Sequence, residues 1–420
     1  MTTLPASLGL SIVEQAEALA RHSDMEGGLT CAYLSPAHRA TQAQLARWME
    51  AAGLVVRIDA IGNVIGRYEA DPAVAEPRVL MTGSHFDTVQ DGGRFDGRLG
   101  ILLPVAVAGA LHAAGRRLPY HLDVVAFSEE EGLRFKTSFL ASQVLIGAFD
   151  PALLARQDAD GISLAQALAD SGLPGAGDLH ALQAAAVDPA DLLAFVELHI
   201  EQGPVLLNEG RALGVVTHIA GNNRFIATVT GMAGHAGTTP MGMRQDAAAA
   251  AAEMLLLIES RCSESTGLVG TVGQLQVPNG SGNVIPGLCR FSIDIRAAQD
   301  AVREAAVADV LAGMRAIATR RGVQLALDPV PPVASVPCAR WLMDQFGAAL
   351  AGAGLPVREL PSGAGHDAMV MHRIVDVAML FVRCGNGGVS HNPAETITAE
   401  DAQLAAEVFA AFLRDFRARD

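Results

Sequence analysis

The chain has 420 residues, half of them hydrophobic and 18% charged, with 30 Lys and Arg against 45 Asp and Glu for a formal net charge of −15. That balance excludes a nucleic-acid partner, which needs a basic footprint, and the Ala-rich stretch 247–260 carries enough polar punctuation to exclude a membrane span of roughly 18 unbroken apolar residues. Cys31, Cys262, Cys289, Cys338 and Cys384 are scattered without CxxC spacing, which argues against a disulfide framework or a thiolate zinc site and suits a reducing cytoplasm.

The opening segment, MTTLPASLGLSIVEQAEALA, lacks the basic start and apolar run of a secretory signal and reads as a helix. Strand-like and helical runs then alternate: a strand at 78–85, a helix near 98–115, a strand at 121–128, a helix from about 137, a strand at 192–200, and later a strand at 377–383 and a helix at 399–417. Apolar strands separated by helices predict an α/β fold, with a mostly parallel sheet covered by helices on both faces. Between 215 and 331 the order becomes β-α-β-β-α-β, the split arrangement of a ferredoxin-like α+β domain. The expected organisation is a discontinuous domain of residues 1–214 and 332–420, interrupted by an inserted lid of residues 215–331. The segment PVPPVASVP (329–337) reads as a stiff linker on the return path.

Four short motifs concentrate metal-binding residue types: GSHFDTVQDGGRFDG (83–97), FSEEEGLRF (127–135), ELHIEQGP (197–204) and VSHNPAE (389–395). They offer His85, Asp96, Glu131, His199 and His391, the imidazole and carboxylate mixture that holds borderline divalent ions, and two such ions need a shared carboxylate. Asp87, two residues after His85, suits a carboxylate that fixes the far ring nitrogen of that histidine. The run Glu129, Glu130, Glu131 after an apolar strand is electrostatically costly without cations, and one glutamate can bind metal while its neighbour takes a proton from water.

Together with GHAGTTPM (234–241), NVIPG (283–287), FSIDIRA (291–297) and SGAGHDA (362–368), these motifs resemble, over nearly the whole chain, the M20 peptidase superfamily. The branch resembled is that of hydantoinases and carbamoylases: N-carbamoyl-L-amino acid hydrolases, allantoate amidohydrolases and β-ureidopropionases. The resemblance implies two divalent metal ions per subunit, zinc first, with manganese, cobalt or nickel also compatible with the donors. His85 and His199 would bind on one and the other metal side, Asp96 would bridge, and Glu131 and His391 would complete the pair. Glu130 would be the general base in the EEEG frame, whereas the DEExG pattern of related exopeptidases would shift the roles to Glu129 and Glu130.

The resemblance further implies that His235 stabilises the oxyanion in the active site of a partner subunit, within a homodimer formed through the lids. Asn283 and Arg296 would bind the substrate carboxylate, and Gln202 would contact the ureido group. Asn222 and Asn223 stand where relatives commonly carry glutamine, Leu133 replaces a serine of some relatives, and His218 stands where a small residue is common. The expected activity is hydrolysis of the ureido C–N bond of an N-carbamoyl-L-amino acid or a related ureido acid, with release of ammonia and carbon dioxide. Two other readings are a metallo-exopeptidase or aminoacylase of the same superfamily, and a metal-free binding or regulatory protein; the latter would have lost a ligand or the base, and none is missing.

Overall fold

The computed structural model describes residues 4–419. The chain divides into two compact units, one running to Thr217 and resuming over Cys338–Leu360 and from His366 onward, the other comprising His218–Pro337 with Pro361–Gly365.

The sheet of the first unit runs in the order Val55–Ile58, Val64–Tyr68, His121–Phe127, Val79–His85, Leu192–Ile200, Val377–Val382, Leu213–Ile219. Its centre is parallel: Val79–His85 pairs in parallel with His121–Phe127 and with Leu192–Ile200, which pairs in parallel with Val377–Val382. The flanking strands are antiparallel. Val79–His85 and Val377–Val382 are buried at every position, the continuous apolar pattern of strands covered on both faces. The helix Leu99–Ala113 is apolar nearly all round and correspondingly buried along most of its length. Helices also form at Leu8–Leu19, where the N-terminal reading placed one, and at Ala399–Asp415, where Thr398 caps the N-terminus by accepting from the Asp401 amide. Among the described residues no helix is long and apolar enough to cross a membrane.

The second unit has the β-α-β-β-α-β order, with strands Gly221–Thr230, Leu268–Thr271 continued by Leu275–Gln276, Leu288–Ala297 and Gln324–Val333, and helices Ala247–Ser263 and Asp300–Arg321. Leu288–Ala297 and Gly221–Thr230 pair at the centre, and all the pairings are antiparallel. Alternation along these strands puts Phe225, Ala227, Val229, Phe291, Ile293 and Ile295 into a core shared with Ala250, Met254, Val310 and Met314 of the two helices. Side chains of the intervening positions, among them Arg224, Asp294 and Arg296, lie on the other face.

The Pro-rich return segment corrects the expectation of a linker. Pro329 lies opposite Phe225, and the strand continues through Pro331 and Pro332 to Val333 with a register shift after Val330. The strand lies at the sheet edge and Pro331 and Pro332 fall within the register shift, the setting in which sheets tolerate proline.

Candidate active site

The functional side chains of the first unit collect at the C-terminal ends of its parallel strands, where open α/β sheets bind ligands. His85 is the last residue of its strand and lies opposite Phe127, after which the three glutamates begin. His199 lies opposite Phe381 one strand further on. Asp96 enters on the loop before Leu99–Ala113, and the shape of that loop depends on Gly97, whose φ is +66°. A Cβ on Gly97 would stand 2.4 Å from the His85 carbonyl oxygen, so only glycine lets Asp96 approach the strand end.

Asp96 is the hub. Its Oδ1 lies 3.4 Å from His199 Nε2 and 4.0 Å from His85 Nε2, while Oδ2 lies 3.0 Å from His391 Nε2. His391 Nε2 is in turn 3.5 Å from Glu131 Oε1. Among the described residues four groups of potential ligand atoms form, and two of them share the Asp96 carboxylate: His85, Asp96 and His199 in one, and Asp96, Glu131 and His391 in the other; the remaining two are His85 with Glu130 and Glu131, and Glu197 with His199 and His366. His85 and His199 thus share a group around Asp96, where the resemblance implied one on each metal side, and each also belongs to a second group without the other. The spacing of motifs along the chain carries no information on which strand ends face the same lobe of a carboxylate.

Hydrogen bonds outside the groups set the imidazoles. His199 Nδ1 is 2.9 Å from the Ile200 carbonyl, and His85 Nδ1 is 3.2 Å from the Asp87 carbonyl and 3.4 Å from Asp87 Oδ1. A carbonyl can only accept, so each Nδ1 bears the proton, and His199 Nε2 accepts from the Gly97 amide at 3.2 Å. Asp87 also accepts from the amides of Glu130 (3.1 Å) and Glu131 (3.0 Å), which fixes the acidic turn beside His85. Glu130 and Glu131 group with His85, whereas Glu129 joins neither set, and its buried carboxylate oxygens have no hydrogen-bond partner among the described residues.

The electrostatics describe a pocket crowded with acids. Burial, reinforced by neighbouring carboxylates, pushes Glu131 and Glu395 up to about 7 and Glu197 up to about 8, and raises Glu130 well above its usual range. His391 is drawn up to about 9 by its hydrogen bond to Asp96, and burial presses His199 down to about 4. Imidazoles facing carboxylate oxygens, in a buried pocket where acids gather, form a donor set that fits divalent cations.

Two acids went unnoticed in the sequence. Glu395 is buried; its Oε1 accepts from the amides of Phe95 (2.8 Å) and Asp96 (3.1 Å), and its Oε2 from Ser390 Oγ (2.7 Å), tying the Asp96 loop to the His391 loop. Gly93 leaves room for it, because a Cβ there would lie 2.1 Å from the Glu395 carboxyl. Glu197 accepts from Ser84 Oγ at 2.7 Å and from the Ala368 amide at 3.0 Å. The available signal was an acid within each motif, VSHNPAE and ELHIEQGP. Gln202, with φ +56°, donates from Nε2 to Asp96 Oδ1 at 2.9 Å, and its buried Oε1 has no partner among the described residues.

The second unit holds the other expected residues. His235 pairs with Val284 on a two-stranded ladder, and just beyond it the Ala236 amide donates to the Asn283 carbonyl at 2.9 Å. The Gly237 amide donates to His235 Nδ1 at 3.0 Å, which leaves an exposed Nε2–H as a donor. Arg296 lies on a different strand, engaged with Asp294 and the Gly363 carbonyl. Asn223 supports the fold of this unit, since its Oδ1 accepts from Nε of the buried Arg303 at 2.7 Å.

Residues 81–415 match the sequence pattern described as peptidase family M20/M25/M40. The chain is 40% identical to an N-carbamoyl-L-amino acid amidohydrolase of Geobacillus stearothermophilus, over 91% of this chain and 92% of that protein. It is 38% identical to allantoate deiminase 2 of Glycine max, over 94% of this chain and 87% of that protein. A crystal structure of a hydantoinase/carbamoylase family amidase from Burkholderia multivorans superposes with a TM-score of 0.87 at 33% identity, covering 97% of each chain. Motifs, architecture and these similarities agree, and the chain belongs to the M20/M25/M40 peptidase family, in its hydantoinase/carbamoylase branch.

Proposed function

We propose that the protein is a dinuclear metal-dependent amidohydrolase that cleaves the ureido C–N bond of an N-carbamoyl-L-amino acid or a related ureido acid such as allantoate or ureidopropionate. The observation that carries this reading is Asp96, which offers one oxygen to each of two donor groups. His85 and His199 would hold one ion, Glu131 and His391 the other, and Asp96 both; zinc suits the donors best. When bound, such ions acidify water and polarise a carbonyl oxygen.

The chain's own residues do the rest. Glu130, which neighbours His85 and Glu131 but does not group with Asp96, takes the proton of the attacking water and returns it to the departing nitrogen. Its buried, raised carboxyl suits both proton transfers. Glu131 groups with Asp96 and His391, which favours the frame with Glu130 as base and Glu131 as ligand. His235, supplied by a second copy in a homodimer, donates Nε2–H to the oxyanion, and the Gly237 amide holds it in that tautomer. Arg296 and Asn283 take the substrate carboxylate, and Gln202 the ureido group. Burial of all five cysteines as free thiols agrees with a cytoplasmic setting.

The decisive experiment is to purify the protein without chelator, measure metal per chain, and follow ammonia release from N-carbamoyl-L-amino acids, allantoate and ureidopropionate beside amine release from dipeptides. Two ions per chain and ammonia release are expected; amine release from dipeptides alone would assign an exopeptidase instead.

A further inference from the structure

We propose that Asp294 is a positioning residue for substrate binding: it clamps the Arg296 guanidinium so that one pair of N–H groups is left for the substrate carboxylate. The proposal rests on the reading above, in which Arg296 takes that carboxylate.

Asp294 and Arg296 are two apart on the strand Leu288–Ala297, so their side chains rise from the same face of the sheet. Arg296 Nε donates to Asp294 Oδ1 at 3.0 Å and Nη2 to Oδ2 at 2.9 Å, a bidentate grip on one edge of the guanidinium. Nη1 donates to the Gly363 carbonyl at 2.9 Å. Of the five N–H groups of an arginine about three are thus taken, and the remaining two lie one on each terminal nitrogen, a spacing that matches two carboxylate oxygens. Asp294 is itself held from the far side, where Arg224 Nε donates to its Oδ2 at 2.9 Å, so it cannot swing away with Arg296.

These groups line an open groove of about 690 Å³ on the second unit, together with Ile226, Val269 and Val330. Two guanidinium groups share one carboxylate there, so an anion is the natural further ligand. A fixed fork binds a carboxylate with less loss of side-chain freedom than a mobile one.

A role through charge alone and a role through position predict opposite signs. Asp294→Asn removes a negative charge from the groove, so charge alone would tighten an anionic substrate. Loss of the clamp weakens it. The measurement is KM and kcat for N-carbamoyl-L-alanine and allantoate, each beside its carboxamide, in wild type, Asp294→Asn, Arg296→Ala and the double variant. Asp294→Asn is expected to raise KM for the acids roughly 10- to 100-fold, the worth of a charge-assisted hydrogen bond. It should leave kcat and the carboxamide KM nearly unchanged, and add nothing in the Arg296→Ala background.

A lowered or unchanged acid KM, equal losses for acid and carboxamide, additive effects in the double variant, or failure of Asp294→Asn to fold would each overturn the role of Asp294. If wild type turns over neither substrate, or Arg296→Ala keeps the wild-type acid KM, the underlying reading falls and takes this one with it. Loss in Arg296→Ala without loss in Asp294→Asn removes the role of Asp294 alone.

Discussion

The pocket around Asp96 and the open sheet face around Asp294 are electrostatic opposites. In the first, carboxyls gather out of water, and burial together with their acidic neighbours raises several of them. In the second, Arg224 and Arg296 share a single carboxylate on a face that water reaches. One region gathers acids and the other gathers guanidinium groups. The two regions hold their charges by different means. The Asp96 pocket relies on burial, which makes each charge strong and each error costly, whereas the Asp294 face relies on geometry under solvent screening.

The sharpest way to break the comparison is at Glu130. Glu130→Gln should lower turnover by on the order of 10³-fold while metal content per chain stays at the wild-type level. Glu131→Ala should instead lose one of the two ions, and the reverse pattern in metal analysis would shift base and ligand by one residue. Next in size is Glu395→Gln, which leaves every ligand in place but weakens the carboxylate that accepts the Phe95 and Asp96 amides. Metal affinity should fall about 10- to 100-fold in a competition titration, with smaller change in the turnover of fully loaded enzyme.

The smallest effect belongs to the open face. Burial works to raise the Asp294 carboxyl, but hydrogen bonding to Arg296 and the charges of Arg296 and Arg224 outweigh it and hold Asp294 below its ordinary value. An acid depressed in the folded state adds stability above its unfolded pKa of about 3.9 and loses it as pH falls through the lower folded value. Asp294→Asn should therefore melt slightly below wild type at pH 7, by less than about 3 °C, with the gap closing in the most acidic buffers the fold survives. A large drop at pH 7 would make the clamp a stability element and blur the contrast with the buried pocket.

How much of this was legible in the sequence follows from the kind of signal each residue leaves. His85, Asp96, Glu131, His199 and His391 sit in short motifs at strand ends, and the structure brings their ligand atoms together. The alternation of strands and helices foretold the parallel centre of the sheet and the β-α-β-β-α-β order of the second unit. The pairing of His85 with His199 was not legible, because it depends on which strands are neighbours in space. Glu395 and Glu197 escaped because accepting backbone amides leaves no spacing rule. The prolines at 329, 331 and 332 misled because composition alone does not distinguish an exposed connector from an edge strand.

All five cysteines are free and buried, and they are divided between the units: Cys31, Cys338 and Cys384 in the first, Cys262 and Cys289 in the second. Burial also raises the thiols, Cys31 to about 11 and Cys338 and Cys384 to about 12, which leaves little thiolate for a reagent to meet in the native state. The molecule thus carries its own unfolding clock. Timed alkylation with peptide mapping would report, cysteine by cysteine, whether the two units open together or in turn.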